Sequence, residues 1–222
     1  WRSRWKALSA DAAVPSALLV RGAHMSAPAA GARPVLTLPE AEADCLRAQY
    51  SAAGVILEYG SGGSTVLAGE LGKTVLSVEN DLDWADAMDA WFAQNPPKGQ
   101  VTLHRVDIGK TEKWGMPSGD AGWRSYNQYP VSVWDRDDFR QPDLVLIDGR
   151  FRAACLLTVM MRTLKAVTVL FDDYAERTRY HAVERWIRPV AMHGRMAVFE
   201  AAPWTLPPRD LAAVLKIFNR PL

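Results

Sequence analysis

Apolar and polar positions change period repeatedly along the chain, and the changes divide it into alternating helices and strands. Thr37-Leu38-Pro39-Glu40 reads as a capping box, with Thr37 as N-cap, ahead of a helix running to about residue 53. Val55-Ile56-Leu57-Glu58-Tyr59 is a short apolar run ending in glycines, the pattern of a buried strand. The same reading predicts helices at 64–71, 81–95, 151–164, 176–188 and 207–219, and strands at 74–79, 101–107, 143–148 and 167–172. Residues 190–192 and 195–201 flank His193-Gly194 as in a hairpin. Strands alternating with helices imply a parallel sheet covered on both faces, and the hairpin adds an antiparallel strand. Residues 109–142 carry Gly, Pro, Trp, Tyr and charges without period, a loop too long to be a simple connection.

Composition narrows the class. With 222 residues, 49% hydrophobic and 23% charged, the chain suits one globular domain of ordinary size. A formal net charge of +1 gives no electrostatic reason to expect nucleic acid. Two separated cysteines, Cys45 and Cys155, argue against a disulfide framework and a cysteine-based zinc site. No apolar run is long enough to span a membrane, so a cytoplasmic protein is expected. Residues 1–24 are set apart: four basic residues, Arg2, Arg4, Lys6 and Arg21, face one acid, Asp11, in an Ala- and Ser-rich stretch. That stretch is expected to be a disordered or non-native extension, the alternative being an arm on a second subunit of a homodimer. Residues 25–222 are expected to form the single domain.

In open α/β sheets ligands bind beyond the carboxyl ends of the strands. Each predicted parallel strand ends in acid: Glu58, Glu79, Asp107, Asp148 and the Asp172-Asp173 pair. Such a rim calls for a cation or a hydroxyl-rich ligand. The first strand runs into Gly60-Ser61-Gly62-Gly63-Ser64-Thr65. Gly60 and Gly62 fit the start of a dinucleotide fingerprint, but Thr65 stands where its third glycine belongs. Glu79, followed by Asn80, ends the second strand, where a carboxylate can accept both hydroxyls of a ribose.

Glu58-Tyr59-Gly60-Ser61-Gly62 with Glu79 resembles the cofactor loop of class I S-adenosylmethionine-dependent methyltransferases, and motif order extends the resemblance over residues 36–203. It implies a Rossmann-like, doubly wound, mostly parallel seven-stranded sheet with an antiparallel last strand and helices on both faces. It implies that Glu58, Tyr59, Gly60, Ser61, Gly62 and Ser64 surround the methionine part of S-adenosylmethionine. Glu79 and Asn80 would then lie at the ribose, and Asp107 and Ile108 at the adenine. Asp148 would face the transferred methyl. The activity implied is O-methylation of a small-molecule or saccharide hydroxyl; the alternatives are an NAD(P)-dependent oxidoreductase and a non-catalytic cofactor-binding module.

Asp148, Asp172 and Asp173 end neighbouring strands and suit a hard divalent cation, Mg²⁺ or Ca²⁺. They are similar to the metal site of catechol O-methyltransferase-type enzymes, except that Asp173 stands where those usually have Asn. The other reading has Asp173 capping a helix and Asp148 merely ending its strand. Arg150 and Arg152, on either side of Phe151, suit an acidic substrate such as a uronic acid or sugar phosphate, or else neutralise the rim. Without a metal, Asp148 or His181 would serve as base. Trp114, Trp123, Tyr126, Tyr129 and Trp134 form either a lid for stacking substrate or a satellite core pinning the loop. Trp84, Met88, Trp91 and Phe92 have the spacing of a helix core face.

Overall fold

The computed structural model describes residues 32–221, so the arm at 1–24 lies outside the described residues. Its strands are β1 (Val55–Tyr59), β2 (Thr74–Glu79), β3 (Gln100–Arg105), β4 (Leu144–Ile147), β5 (Val167–Phe171), β6 (Ala191–His193) and β7 (Met196–Ala201). They form one seven-stranded sheet in the order β3-β2-β1-β4-β5-β7-β6. The first five are parallel neighbours, and β7 runs antiparallel to both β5 and β6. This is the expected Rossmann-like sheet with a reversed last strand. Its order changes direction at β1 and β4, so the crevice for a ligand opens at their carboxyl ends.

Alternate strand residues go to opposite faces, and the two faces have separate cores. Ile56, Leu144, Leu146 and Leu170 pack with Leu46 and Tyr50 of α1 (Glu40–Ala52) and Ala68 of α2 (Gly63–Glu70). Leu57, Val145, Ile147 and Val169 pack with residues of α5 (Arg152–Arg162) and α6 (Leu211–Phe218). Val66 of α2 meets Met88 and Trp91 of α3 (Leu82–Gln94), with Trp84 and Phe92 against them.

β1 and β2 fall where the apolar runs place them, and the other strands and most helices end within two residues of expectation. Two elements differ. Thr37 does not cap α1: the N-cap is Pro39, with no side-chain bond, and its carbonyl accepts the Ala43 amide. The start of this helix is fixed by tertiary contact instead, because buried Glu42 accepts the Arg195 amide at the β6–β7 turn (2.7 Å). The helix expected at 176–188 is a run of 3-10 turns over Thr178–Arg185. Its buried residues, Tyr180 and Val183, are three apart, the period of the tighter helix.

The long loop is a series of short turns with one four-residue helix, α4 (Gln128–Val131). Tyr126, Tyr129, Val133 and Trp134 are buried, whereas Trp114 and Trp123 are exposed. The first group is therefore the satellite core that pins the loop. The pin is specific: Trp134 Nε1 donates to the Tyr59 hydroxyl, which donates to the Pro130 carbonyl, both at 2.7 Å.

Beneath this loop the ends of β1 and β4 touch through glycine. Gly60 has φ +104°, and a Cβ there would lie 2.9 Å from the Gly149 backbone. A Cβ on Gly149 would lie 2.1 Å from Tyr129 Oη and 3.0 Å from Gly60 Cα. Gly149→Ala should therefore cost about 1–3 kcal/mol by overpacking and lower Tm by roughly 2–12 °C. Calorimetric melting checks this; an unchanged Tm would mean that the roof over the β1–β4 crevice is not held as described.

Candidate functional site

The glycine loop is built from below by a buried carboxylate. Glu58 is fully buried; its Oε1 accepts the Tyr50 hydroxyl (2.6 Å) and its Oε2 the Thr65 hydroxyl (2.5 Å). Thr65 Oγ1 in turn accepts the Gly62 amide (3.0 Å). Burial pushes the Glu58 carboxyl above its ordinary range, against the pull of the Thr65 and Tyr50 hydroxyls. This chain explains Thr65 in place of a third glycine: its hydroxyl is the strut between the loop and the sheet. Glu58 and Tyr59 thus stand under the loop, with their polar atoms turned to Tyr50, Thr65, Pro130 and Trp134. Gly60, Ser61, Gly62 and Ser64 form the loop and the start of α2. A Cβ on Gly62 would have only the Trp84 ring within 4.0 Å.

At the end of β2, Glu79 Oε2 accepts the Ser61 amide (3.1 Å) and hydroxyl (2.8 Å). Its Oε1 accepts the amides of Asn80 and Asp81, both at 2.8 Å. Burial pushes this carboxyl up and those donors pull it down. Asn80 is buried and its amide donates to the Gly115 carbonyl (2.7 Å), which brings the long loop against the end of β2. Asp107 is exposed beyond β3, accepting the Gly109 amide (2.8 Å), and Ile108 is buried. Trp84 is more than core: its Nε1 donates to the Ser61 carbonyl (3.0 Å) and clamps the loop from α3. A helix-face spacing gives no sign of that bond, although Trp at the first turn of the helix after the second strand is a place to look for one.

The acids after β4 and β5 come together as expected, with oxygens of Asp148, Asp172 and Asp173 all within 4.8 Å of one another. Arginines fill the space between them. Arg152 pairs with Asp148 (3.1 Å) and Asp173 (3.1 Å) and donates to the carbonyls of Gly149 and Asp172 (2.9 and 2.7 Å). Arg195, from the hairpin, forks onto both oxygens of Asp172 (3.0 and 2.8 Å) and reaches Asp173 (3.1 Å). Arg177 closes the set on Asp173 (2.7 Å). Three aspartates thus meet three guanidinium groups, and five of their six carboxylate oxygens, all but Asp148 Oδ2, lie against an arginine. The three carboxylates lie close enough together to hold a cation, and their arginine pairs would have to open for Mg²⁺ or Ca²⁺ to bind there.

Asp148 differs from its neighbours in access: its side chain is 35% exposed, against 1% for Asp172 and 11% for Asp173. Its carboxyl is pushed up to about 7 by desolvation, with Arg152 opposing and Asp172 and Asp173 adding. Arg152 neutralises the rim. Arg150, two residues earlier, is buried and makes no side-chain ion pair among the described residues. Phe151 between them is left-handed (φ +51°), a conformation costly for a non-glycine residue. His181 joins neither group: its Nε2 lies 3.0 Å from the Tyr174 carbonyl and its ring packs on Tyr174. A groove of about 440 Å³ along α2 and α3, lined by Val66, Glu70, Trp91, Phe92, Pro97 and Lys98 among others, includes none of these aspartates or arginines.

Two measurements check the cluster. Arg152→Met leaves Asp148 without its arginine and the Gly149 and Asp172 carbonyls without their donor, and should destabilise the protein in chemical denaturation by about 1–3 kcal/mol for each buried acceptor left unpaired. Millimolar Mg²⁺ should leave the melting temperature of the unaltered protein where it is; a clear rise would show that the arginines yield to a cation.

No protein-family model matches the sequence, and no curated protein matches it. Solved structures do. A methyltransferase-like protein from Silicibacter pomeroyi DSS-3 is 49% identical, over 85% of this chain and 99% of that one, with a TM-score of 0.82. The cofactor-bound Rv0187 from MTB shares the fold at 14% identity, over 79% of this chain and 86% of that one, with a TM-score of 0.53. With the sheet order, the glycine loop and the 49% identical relative all in agreement, the chain belongs to the class I S-adenosylmethionine-dependent methyltransferases.

Proposed function

We propose that this methyltransferase acts on a hydroxyl of a small molecule or saccharide. The observation that carries the reading is Asp148: a partly exposed carboxyl poised at about 7, one residue from the Gly149 backbone that touches Gly60 of the cofactor loop. A hydroxyl needs a base as it becomes a nucleophile, and a group with that pKa is half deprotonated near neutrality.

The residues fit the cofactor. Gly60, Ser61, Gly62 and Ser64 would run along its methionine part, shaped from beneath by Glu58 and Tyr59. Glu79 would take the ribose hydroxyls, exchanging its bond from the rotatable Ser61 hydroxyl for them, with Asn80 beside it. Asp107 and Ile108 would border the adenine. When bound, the cofactor supplies an electrophilic methyl group on sulfur. Asp148 would accept the proton of the attacking hydroxyl, and Arg152 would stabilise the carboxylate in its charged form. The loop around Tyr129 would exclude water and hold the acceptor in line.

The test is calorimetric titration with S-adenosylhomocysteine, NAD⁺ and NADP⁺. S-Adenosylhomocysteine alone should bind, and Glu79→Ala should weaken it roughly tenfold to a hundredfold, the worth of charge-assisted hydrogen bonds. Binding of a nicotinamide nucleotide instead would favour the oxidoreductase. In an acceptor screen, kcat should fall about tenfold per pH unit below about 7 and level off above it. Asp148→Asn should lower kcat by roughly 10²–10⁴ and remove that inflection with S-adenosylhomocysteine affinity kept. Retained turnover would put the base elsewhere, and the absence of turnover with any hydroxyl acceptor in the unaltered protein would leave the binding-module reading.

A further inference from the structure

Four arginines gather at the ends of β4, β5 and β7, and the aspartates there account for three. Arg152, Arg177 and Arg195 all pair with Asp148, Asp172 or Asp173. Arg150 is the fourth. It is only 8% exposed, its Nε is buried without a hydrogen-bond partner, and its side chain forms no hydrogen bond or ion pair among the described residues. The polar contacts of this residue are made by its backbone, whose amide donates to Tyr129 Oη (3.4 Å) and whose carbonyl faces the Cys155 thiol. A desolvated guanidinium without a counter-charge is costly, and proteins seldom keep one without a use.

Its surroundings say what that use is. Arg152 and Arg177 act on it electrostatically, as do the side chains of Tyr129 and Tyr180, so its neighbours are further cations and tyrosine hydroxyls. Burial and Arg152 push its pKa down, the sign of a cation short of an anion. It follows Gly149 directly, and Gly149 touches Gly60, so it borders the crevice where the methyl acceptor belongs. We propose that Arg150 is an anion subsite that binds a carboxylate or phosphate on the methyl acceptor, making that acceptor an acidic small molecule of the uronic-acid or sugar-phosphate class. This deepens the O-methyltransferase reading and rests on it for the word acceptor. A guanidinium fork matches either anion with two parallel hydrogen bonds, and the Tyr129 and Tyr180 hydroxyls can complete the shell. The rival source of an anion is the carboxylate of the cofactor itself.

The experiment compares the full chain with Arg150→Gln and Arg150→Lys, and inorganic phosphate is the probe. Without ligand, Arg150→Gln should melt higher than the unaltered protein, by about 2–4 °C or more, because an unpaired buried charge is removed. Phosphate should raise the Tm of the unaltered protein above a chloride control of equal ionic strength. It should do so less for Arg150→Lys, which keeps the charge but not the fork, and not at all for Arg150→Gln. S-Adenosylhomocysteine affinity should stay within about twofold across the three, since the subsite belongs to the acceptor. A lower Tm for ligand-free Arg150→Gln would overturn the proposal by making Arg150 structural. So would phosphate stabilising all three proteins alike, or none. A tenfold loss of S-adenosylhomocysteine affinity in Arg150→Gln would assign the arginine to the cofactor carboxylate and overturn it too. The phosphate arm needs no cofactor, so failure of the methyltransferase reading shows separately, as no S-adenosylhomocysteine binding to the unaltered protein.

Discussion

The site depends on one balance: three aspartates and three arginines that neutralise each other at the ends of β4, β5 and β7. Buried ions are tolerated only when paired and hydrogen-bonded, and these are both. Asp172, 1% exposed, is gripped by the Arg195 fork and by its own carbonyl's bond from Arg152. The same contacts bind the hairpin, the end of β5 and the start of α5 into one rigid floor. Glu42 adds α1 to that floor through the Arg195 amide. The chemistry available to the enzyme is what this balance leaves over: a partly exposed Asp148 and an unpaired Arg150.

Much of the fold is legible in sequence because its signals are local. β1 and β2 are mainly apolar runs closed by glycine or acid, and the alternation of strands with helices points to a parallel sheet. The capping box at Thr37 misleads because a local hydrogen bond competes with a tertiary one. Pro39 stands at the cap, and Glu42 in the first turn is tied to the Arg195 amide instead. The segment at 178–185 misleads for a related reason. Tyr180 and Val183 satisfy both a helical and a 3-10 pattern, and contacts outside the segment decide: Arg177 on Asp173, and Arg185 with Trp186 on Asp210.

The candidate site divides in the same way. The acids at strand ends, the glycine loop and Glu79 can be read residue by residue, since strand direction alone brings them to one rim. The partners of those acids cannot. Arg195 lies more than twenty residues from Asp172 and arrives by a hairpin, and the distinction between Arg150 and Arg152 turns on a left-handed Phe151 that no propensity anticipates. The carboxylates alone suggest a metal, and the arginines that a cation would have to displace are what the sequence does not show. Thr65 is the reverse case: a departure from a fingerprint that looks like a weakness is the strut that holds the loop to Glu58.

The two buried acids at the glycine loop and the partly open acid after β4 are shaped by the same physics with different results. Burial raises Glu58 and Glu79, and hydroxyl or amide donors pull both back toward the charged form. Those donors are short and local and hold both carboxylates in place, with the Ser61 hydroxyl the one rotatable donor on Glu79. Asp148 feels the same desolvation but has one arginine to share and two carboxylates beside it, so it stays near 7. A group placed there trades a proton readily, which a fully paired aspartate cannot do. The Asp172 and Asp173 carboxylates lie beside Asp148 and add to the rise that desolvation gives it. The raised Asp148 carboxyl is therefore a by-product of the same packing that joins the hairpin, the end of β5 and the start of α5.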